Sequence, residues 1–323
     1  MADTIQDQVI KYLSDAHSIE EQALQQLRSA PDAAGDRELA DIFRQHLSET
    51  EGHERRVRER MELLGETPSK LKDLLMRVGG AGFLLFAKAQ PDTPGKLAAH
   101  AYSYEHLELA GYELLKRVAE RAGDEQTAEL ADEIGAEEKA MAERLESNFD
   151  RSVDASLRDV APDDLDEQLQ KYLADAYAIE EQATKMLESA PDIVKDQELS
   201  ALFAEHLAET REQERLVTER LEAKGGDTNS LKDTAMKAGA LQWGTFFKAH
   251  PDSPGKLVAF VYAFEHLEIG AYEQLKRVAE RANDAETVQL AEKILDQERT
   301  AAKKLAGEFD RAATASLVEV GVA

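Results

Sequence analysis

Apolar residues return every three or four positions along nearly the whole chain, and runs of β-branched residues are scarce. That spacing, carried by Ala, Leu, Glu, Lys, Arg and Gln, predicts helices. Breaks fall at Ala30-Pro31-Asp32, Leu64-Gly65-Glu66-Thr67-Pro68, Gln90-Pro91-Asp92-Thr93-Pro94-Gly95 and Ala122-Gly123-Asp124. The helices between them run approximately 5–29, 36–64, 96–122 and 125–150. Helices of about 25 residues are roughly 37 Å long, and the short turns make the first two, and the last two, antiparallel neighbours. The stretch from Gly65 to Gly95 is long enough to run the length of a bundle, placing the third helix parallel to the second. Within it Leu71, Leu74, Leu75 and Val78 repeat at helical spacing before Phe83, Leu84, Leu85 and Phe86, which predicts a short extra helix in the crossover.

Shifting residues 1–160 onto 161–320 aligns them without a gap, and roughly half the positions carry the same residue. The expected fold is therefore all-α, two tandem four-helix bundles of the single-crossover, ferritin-like kind. The domains are 1–160 and 161–323. The repeat also acts as a filter. Among polar residues in helical segments, both copies hold Glu20/Glu180, His46/His206, Glu49/Glu209, Glu105/Glu265, His106/His266, Glu108/Glu268 and Glu138/Glu298.

Composition narrows the chemistry. No Cys is present, so disulfides, thiolate zinc sites and a catalytic thiol are excluded. A formal charge of −26 disfavours nucleic-acid and anionic-membrane partners and attracts cations. The longest apolar stretch, Gly79 to Ala87, is far short of the roughly 20 residues that span a bilayer. No signal pattern follows Met1, so the expected location is cytoplasmic.

Several carboxylates converging inside a bundle demand a cation, because an ionised group loses its hydration on burial. His46, Glu49 and His53 share one stripe of the second helix, Glu105 and Glu108 share a face of the third, and the first and fourth offer Glu20 and Glu138. Oxygen-rich ligation with one or two imidazoles suits iron or manganese, and inward carboxylates of a four-helix bundle usually hold a pair of ions. The expected metal ligands are Glu20, Glu49, His53, Glu105, Glu108 and Glu138, with Glu180, Glu209, Glu265, Glu268 and Glu298 in the second copy. His106 lies off the Glu105–Glu108 stripe and reads as a supporting or core histidine; Tyr104, Tyr112 and Tyr272 read as core aromatics.

These residues resemble the YciE/YciF-type ferritin-like stress proteins of bacteria, one whole member per copy. The carrying motifs are Leu13-Ser14-Asp15-Ala16 with Glu20-Glu21-Gln22, His46-Leu47-Ser48-Glu49-Thr50, Glu105-His106-Leu107-Glu108 with Tyr112, and Glu137-Glu138-Lys139. The resemblance implies a di-iron site in which Glu105 and Glu108 bridge or chelate the pair while Glu20 and Glu49 bind one ion each. It departs from the Glu-x-x-His pattern of such sites at Gly52 and Met141; His53 comes one position late and is Gln213 in the second copy. Iron or manganese could thus be held in copy one alone. The implied activity is Fe(II) oxidation or peroxide removal by a di-metal oxidoreductase of ferroxidase or peroxidase type, with O2 or peroxide as the small oxidant. The alternative is a non-enzymatic scaffold that self-assembles or docks a partner through the apolar crossover, where copy two carries Trp243, Phe246 and Phe247.

Overall fold

The computed structural model describes residues 4–66, 93–226 and 253–322, and the regular structure among them is helical. The first copy comprises α1 (Ile5–Leu27), a single turn α2 (Ala30–Ala33), α3 (Arg37–Leu63), α4 (Thr93–Ala122), α5 (Glu125–Glu146) and α6 (Phe149–Ser156). A 3-10 turn at Pro162–Asp164 leads into α7 (Leu165–Glu188), α8 (Ala190–Ile193), α9 (Gln197–Ala223), α10 (Ser253–Arg281), α11 (Ala285–Gly307) and α12 (Phe309–Glu319). The extra crossover helix and the Phe83–Phe86 and Trp243–Phe247 patches lie outside the described residues.

Local chemistry sets the boundaries. Thr4 and Asp7 form a reciprocal capping box on α1, and the Asp36 carboxylate accepts the main-chain N–H of Glu38 and Leu39 at 2.9 and 3.2 Å at the start of α3. Asp124 caps α5 and also receives Arg60 at 2.6 Å, while Arg60 Nε donates to Thr127 at 2.8 Å. The end of α3 is thereby tied to the start of α5. The turn between α4 and α5 needs a left-handed residue: Gly123 has φ +70, and the second copy uses Asn283 at φ 55. The predicted helix 125–150 divides after Glu146. There Ser147 Oγ and Asn148 Nδ2 donate back to the carbonyls of Glu143 and Arg144, competing with the main-chain ladder.

The Arg60–Asp124 and Glu49–Arg144 pairs run α3 antiparallel to α5, and α5 is antiparallel to α4 through their short turn. So α3 and α4 are parallel, as a single long crossover requires. The two halves pack through α4 and α10 about a pseudo-two-fold axis. On that axis the His106 and His266 rings stack with centroids 3.4 Å apart, and Ser103 Oγ donates to the Ala263 carbonyl at 2.7 Å. Reciprocal ion pairs flank it, Lys96–Asp175 at 2.6 Å and Lys256–Asp15 at 3.0 Å.

Two apolar clusters result, each drawing on both halves. One joins Val9, Leu13, Leu115 and Ile134 to Phe203, Leu257, Leu305 and Phe309; the other joins Phe43, Leu145 and Phe149 to Leu173, Tyr272 and Ile294. In each bundle a polar slab lies between them, and that slab contains the carboxylates.

Candidate metal centre

In copy one the slab brings together Glu20 from α1, His46 and His53 from α3, Glu105 and Glu108 from α4, and Glu138 from α5, none more than 3 % exposed. Their ligand atoms form two groups. His46, Glu105, Glu108 and Glu138 make one, Glu20, His53 and Glu138 the other, and within each group the atoms lie within 4.8 Å of one another. Glu138 belongs to both. His46 Nε2 is 3.1 Å from Glu105 and 3.7 Å from Glu138; His53 Nδ1 is 2.6 Å from Glu138 and 3.7 Å from Glu20.

Most of these atoms lack a hydrogen-bond partner. Both oxygens of Glu108 and Oε2 of Glu20 and of Glu138 are buried without one, while Glu138 Oε1 and Glu105 Oε2 face only the ring nitrogens of His53 and His46. A buried, unpaired polar atom costs on the order of 1–3 kcal/mol, and more when charged. Among the described residues no Lys or Arg reaches the carboxylates of either group, so the charge balance falls to the two imidazoles. Two divalent cations against four carboxylates and two neutral imidazoles would make the set neutral, and unpaired oxygens facing one another fit such ions.

Without cations the site must hold protons instead. Burial, then the Glu138 carboxylate, pushes Glu20 up to about 8, and burial carries Glu105 up to about 7 against the pull of His46. Burial raises Glu108 well above the carboxylate range. At His46 burial opposes the imidazolium, but Glu105 outweighs it and the pKa lies well above the usual value; Glu138 does the same for His53, which rises to about 9.

Further groups hold the ligand side chains in place. The Tyr112 hydroxyl donates to Glu20 Oε1. His53 Nε2 meets Glu137 at 2.8 Å, and Arg56 grips the same carboxylate at 3.0 Å. Glu49 stands outside both groups: Arg144 binds it at 2.5 Å, and it faces His46 Nδ1 at 3.3 Å on the far side of the ring. Its pKa is lowered by the His46 hydrogen bond. His46, retained in both copies but left out of the expected ligand set, lies inside the first group. Lying one turn from Glu49, it shares the inward face of α3, whereas Glu49 reaches the α5 edge where Arg144 waits. Tyr112 carries a signal of its own: the equivalent Tyr272 donates to Glu180 in the same way.

Copy two reproduces the first group as His206, Glu265, Glu268 and Glu298. His206 Nε2 is 2.7 Å from Glu265, and both oxygens of Glu268 are buried without a hydrogen bond. No second group appears among its described residues. Gln213 occupies the place of His53, and its amide donates to Glu298 Oε1, the counterpart of the Glu138 oxygen that faces His53 Nδ1 in copy one. Glu180 is fully buried beside Tyr272, pushed up by that burial to about 8. Glu209, like Glu49, lies outside the cluster, with His206 Nδ1 at 3.8 Å.

The family model described as a domain of unknown function, DUF892, matches residues 4–158 and again 164–317. The chain belongs to the DUF892 family, as two tandem members. It is also similar to Protein YciF of Escherichia coli (strain K12), 34% identical over 150 residues that cover 44% of this chain and 88% of that protein. No solved structure matches the chain. The DUF892 repeats coincide with the two halves that pair across α4 and α10, so each match carries one slab of buried Glu and His. No helix among the described residues is long and apolar enough to cross a membrane.

Proposed function

We propose that this DUF892 protein is a ferritin-like stress protein whose copy one binds two divalent ions, iron or manganese, and whose copy two binds one, acting on Fe(II) or on peroxide. Glu108 carries this most directly, its two oxygens buried with no donor in reach, and Glu268 repeats it in the other half. The scaffold alternative would leave these carboxylates to protons and the two imidazoles, since among the described residues Arg144 pairs with Glu49 and Arg56 with Glu137.

When bound, redox-active iron or manganese supplies one-electron exchange with O2 or peroxide. The chain's residues do the rest. Glu138 belongs to both ligand groups and so holds the two positions at a fixed separation. Glu137 with Arg56, and Glu49 with Arg144, fix the two imidazole rings through their outer nitrogens, a support that sets ligand basicity. Loading displaces the protons that the raised pKa values hold on Glu20, Glu105 and His53, so uptake releases protons. The apolar clusters on either side of the slab keep bulk water away.

Elemental analysis per chain after anaerobic Fe(II) or Mn(II) loading tests the proposal. About three ions per chain are expected, from two groups in copy one and one in copy two. A protein that retains none would be the scaffold.

A further inference from the structure

The two halves differ in how their slabs meet solvent. In copy two a narrow cleft, with room for about one water molecule, runs between α9 and α11 and ends on His206. Phe203, Glu205, Glu209, Ala301 and Lys304 line it. His206 is 5 % exposed, neither of its ring nitrogens makes a well-aligned hydrogen bond, and it is one of the four clustered ligands, so the cleft reaches the site itself.

The matching positions in copy one are closed. Met141, with no exposed surface, stands where copy two has Ala301. Arg144 replaces Lys304 and forks onto both oxygens of Glu49 at 2.5 and 3.2 Å, and Gln45 donates to the same carboxylate at 2.9 Å. Lys304 instead turns outward to Glu205 at 2.8 Å and leaves Glu209 without a clamp. The charge at the mouth differs too. Glu205, Glu209 and Lys304 sum to −1, whereas Gln45, Glu49 and Arg144 sum to zero.

We propose that copy two takes up divalent cations through this side entrance, which Met141 and the Arg144–Glu49 fork shut in copy one. Its single-ion site therefore loads fast and the paired site of copy one slowly. The proposal rests on both slabs being metal sites. A negative mouth over a short path raises the local cation concentration and the on-rate. The buried Met and the bidentate fork must move before an ion can pass on the other side.

Stopped-flow mixing of the full-length apo-protein with Co(II), followed by visible absorbance, tests this. Wild type should show a fast and a slow phase, and E268Q should remove the fast one. A301M, which installs the side chain copy one already accommodates, should slow the fast phase several-fold at unchanged final amplitude. M141A should speed the slow phase in the same way and covers the case of A301M failing to fold. Full Co(II) amplitude with rates unchanged in both variants would overturn the entrance alone. No Co(II) bound at equilibrium would overturn the metal sites and the entrance with them.

Discussion

Stripping the metal should turn the slab into a pH-dependent load on the fold. Glu20 has an ordinary value of 4.5 and rises to about 8 in the folded chain, chiefly through burial. Between those values the folded state holds a proton that the unfolded state has released, so stability falls as pH climbs from the first to the second. A gap of about 3.5 at about 1.4 kcal/mol each puts the loss from Glu20 alone on the order of 5 kcal/mol, a large share of a domain's stability. His53, raised to about 9 from 6.5 by Glu138 against the effect of burial, adds in the same direction: its stabilisation is complete below 6.5 and lost as pH passes 9. Bound divalent cations replace these protons, so the loaded protein should be flat or should gain stability over the same range. The assay is urea unfolding in excess chelator and in excess Mn(II), at roughly pH 5, 6.5 and 8. Glu20→Gln, which cannot ionise, should make the chelator series less steep, leaving the part that His53 contributes, and recover several kcal/mol at the alkaline end. A chelated protein whose midpoint stays level or rises towards pH 8, or a Glu20→Gln slope equal to wild type, would refute the reasoning.

Other outcomes follow from single contacts. Gln213→His with Gln297→Glu rebuilds the missing imidazole and its carboxylate support, and should raise the metal count by one ion per chain by elemental analysis. Glu49→Ala should weaken metal affinity by about 10–100-fold through loss of the His46 support while leaving the number of ions unchanged. Loss of an ion would instead make Glu49 a ligand. A Cβ at position 95 would sit 2.3 Å from Gln274 Oε1 and 3.0 Å from Tyr172 Oη across the interface. Gly95→Ala should therefore cost about 1–3 kcal/mol in urea unfolding, with the metal count intact.

The four long helices of each copy, the turns between them and the carboxylate slab were legible in the chain because each rests on local spacing, whereas the single turn α2 and the division of the last helix after Glu146 were not. Glu20, Glu105, Glu108 and Glu138 face inward for the same reason that Leu13 and Leu115 do, a 3.6-residue period. Glu49 could not be placed that way. It lies on the right stripe, but its long side chain turns to an arginine on α5 some 95 residues away, and such a pairing depends on how two helices abut. His106 showed the opposite limit. Its position off the carboxylate stripe was readable, whereas its stacking on His266 follows from the packing of α4 against α10, which no single helix encodes. The missing imidazole of copy two was visible as Gln213 and suggested metal in copy one alone, but that a four-residue group would persist there, with the Gln213 amide on a Glu298 oxygen, needed coordinates.

The axis between α4 and α10 has a further consequence. In an assembly of identical subunits, every residue on a two-fold meets its own copy, and a change there is made twice. Here Ser103 meets Ala263, and Gln274, whose counterpart is Leu114, reaches the Gly95 carbonyl. Such unlike pairs are open only to partners encoded separately. Joining both partners in one polypeptide makes their meeting unimolecular and fixes their ratio at one to one, so the pairing survives any dilution. One half can then specialise while the other keeps its own arrangement, without either risking a mismatched mate.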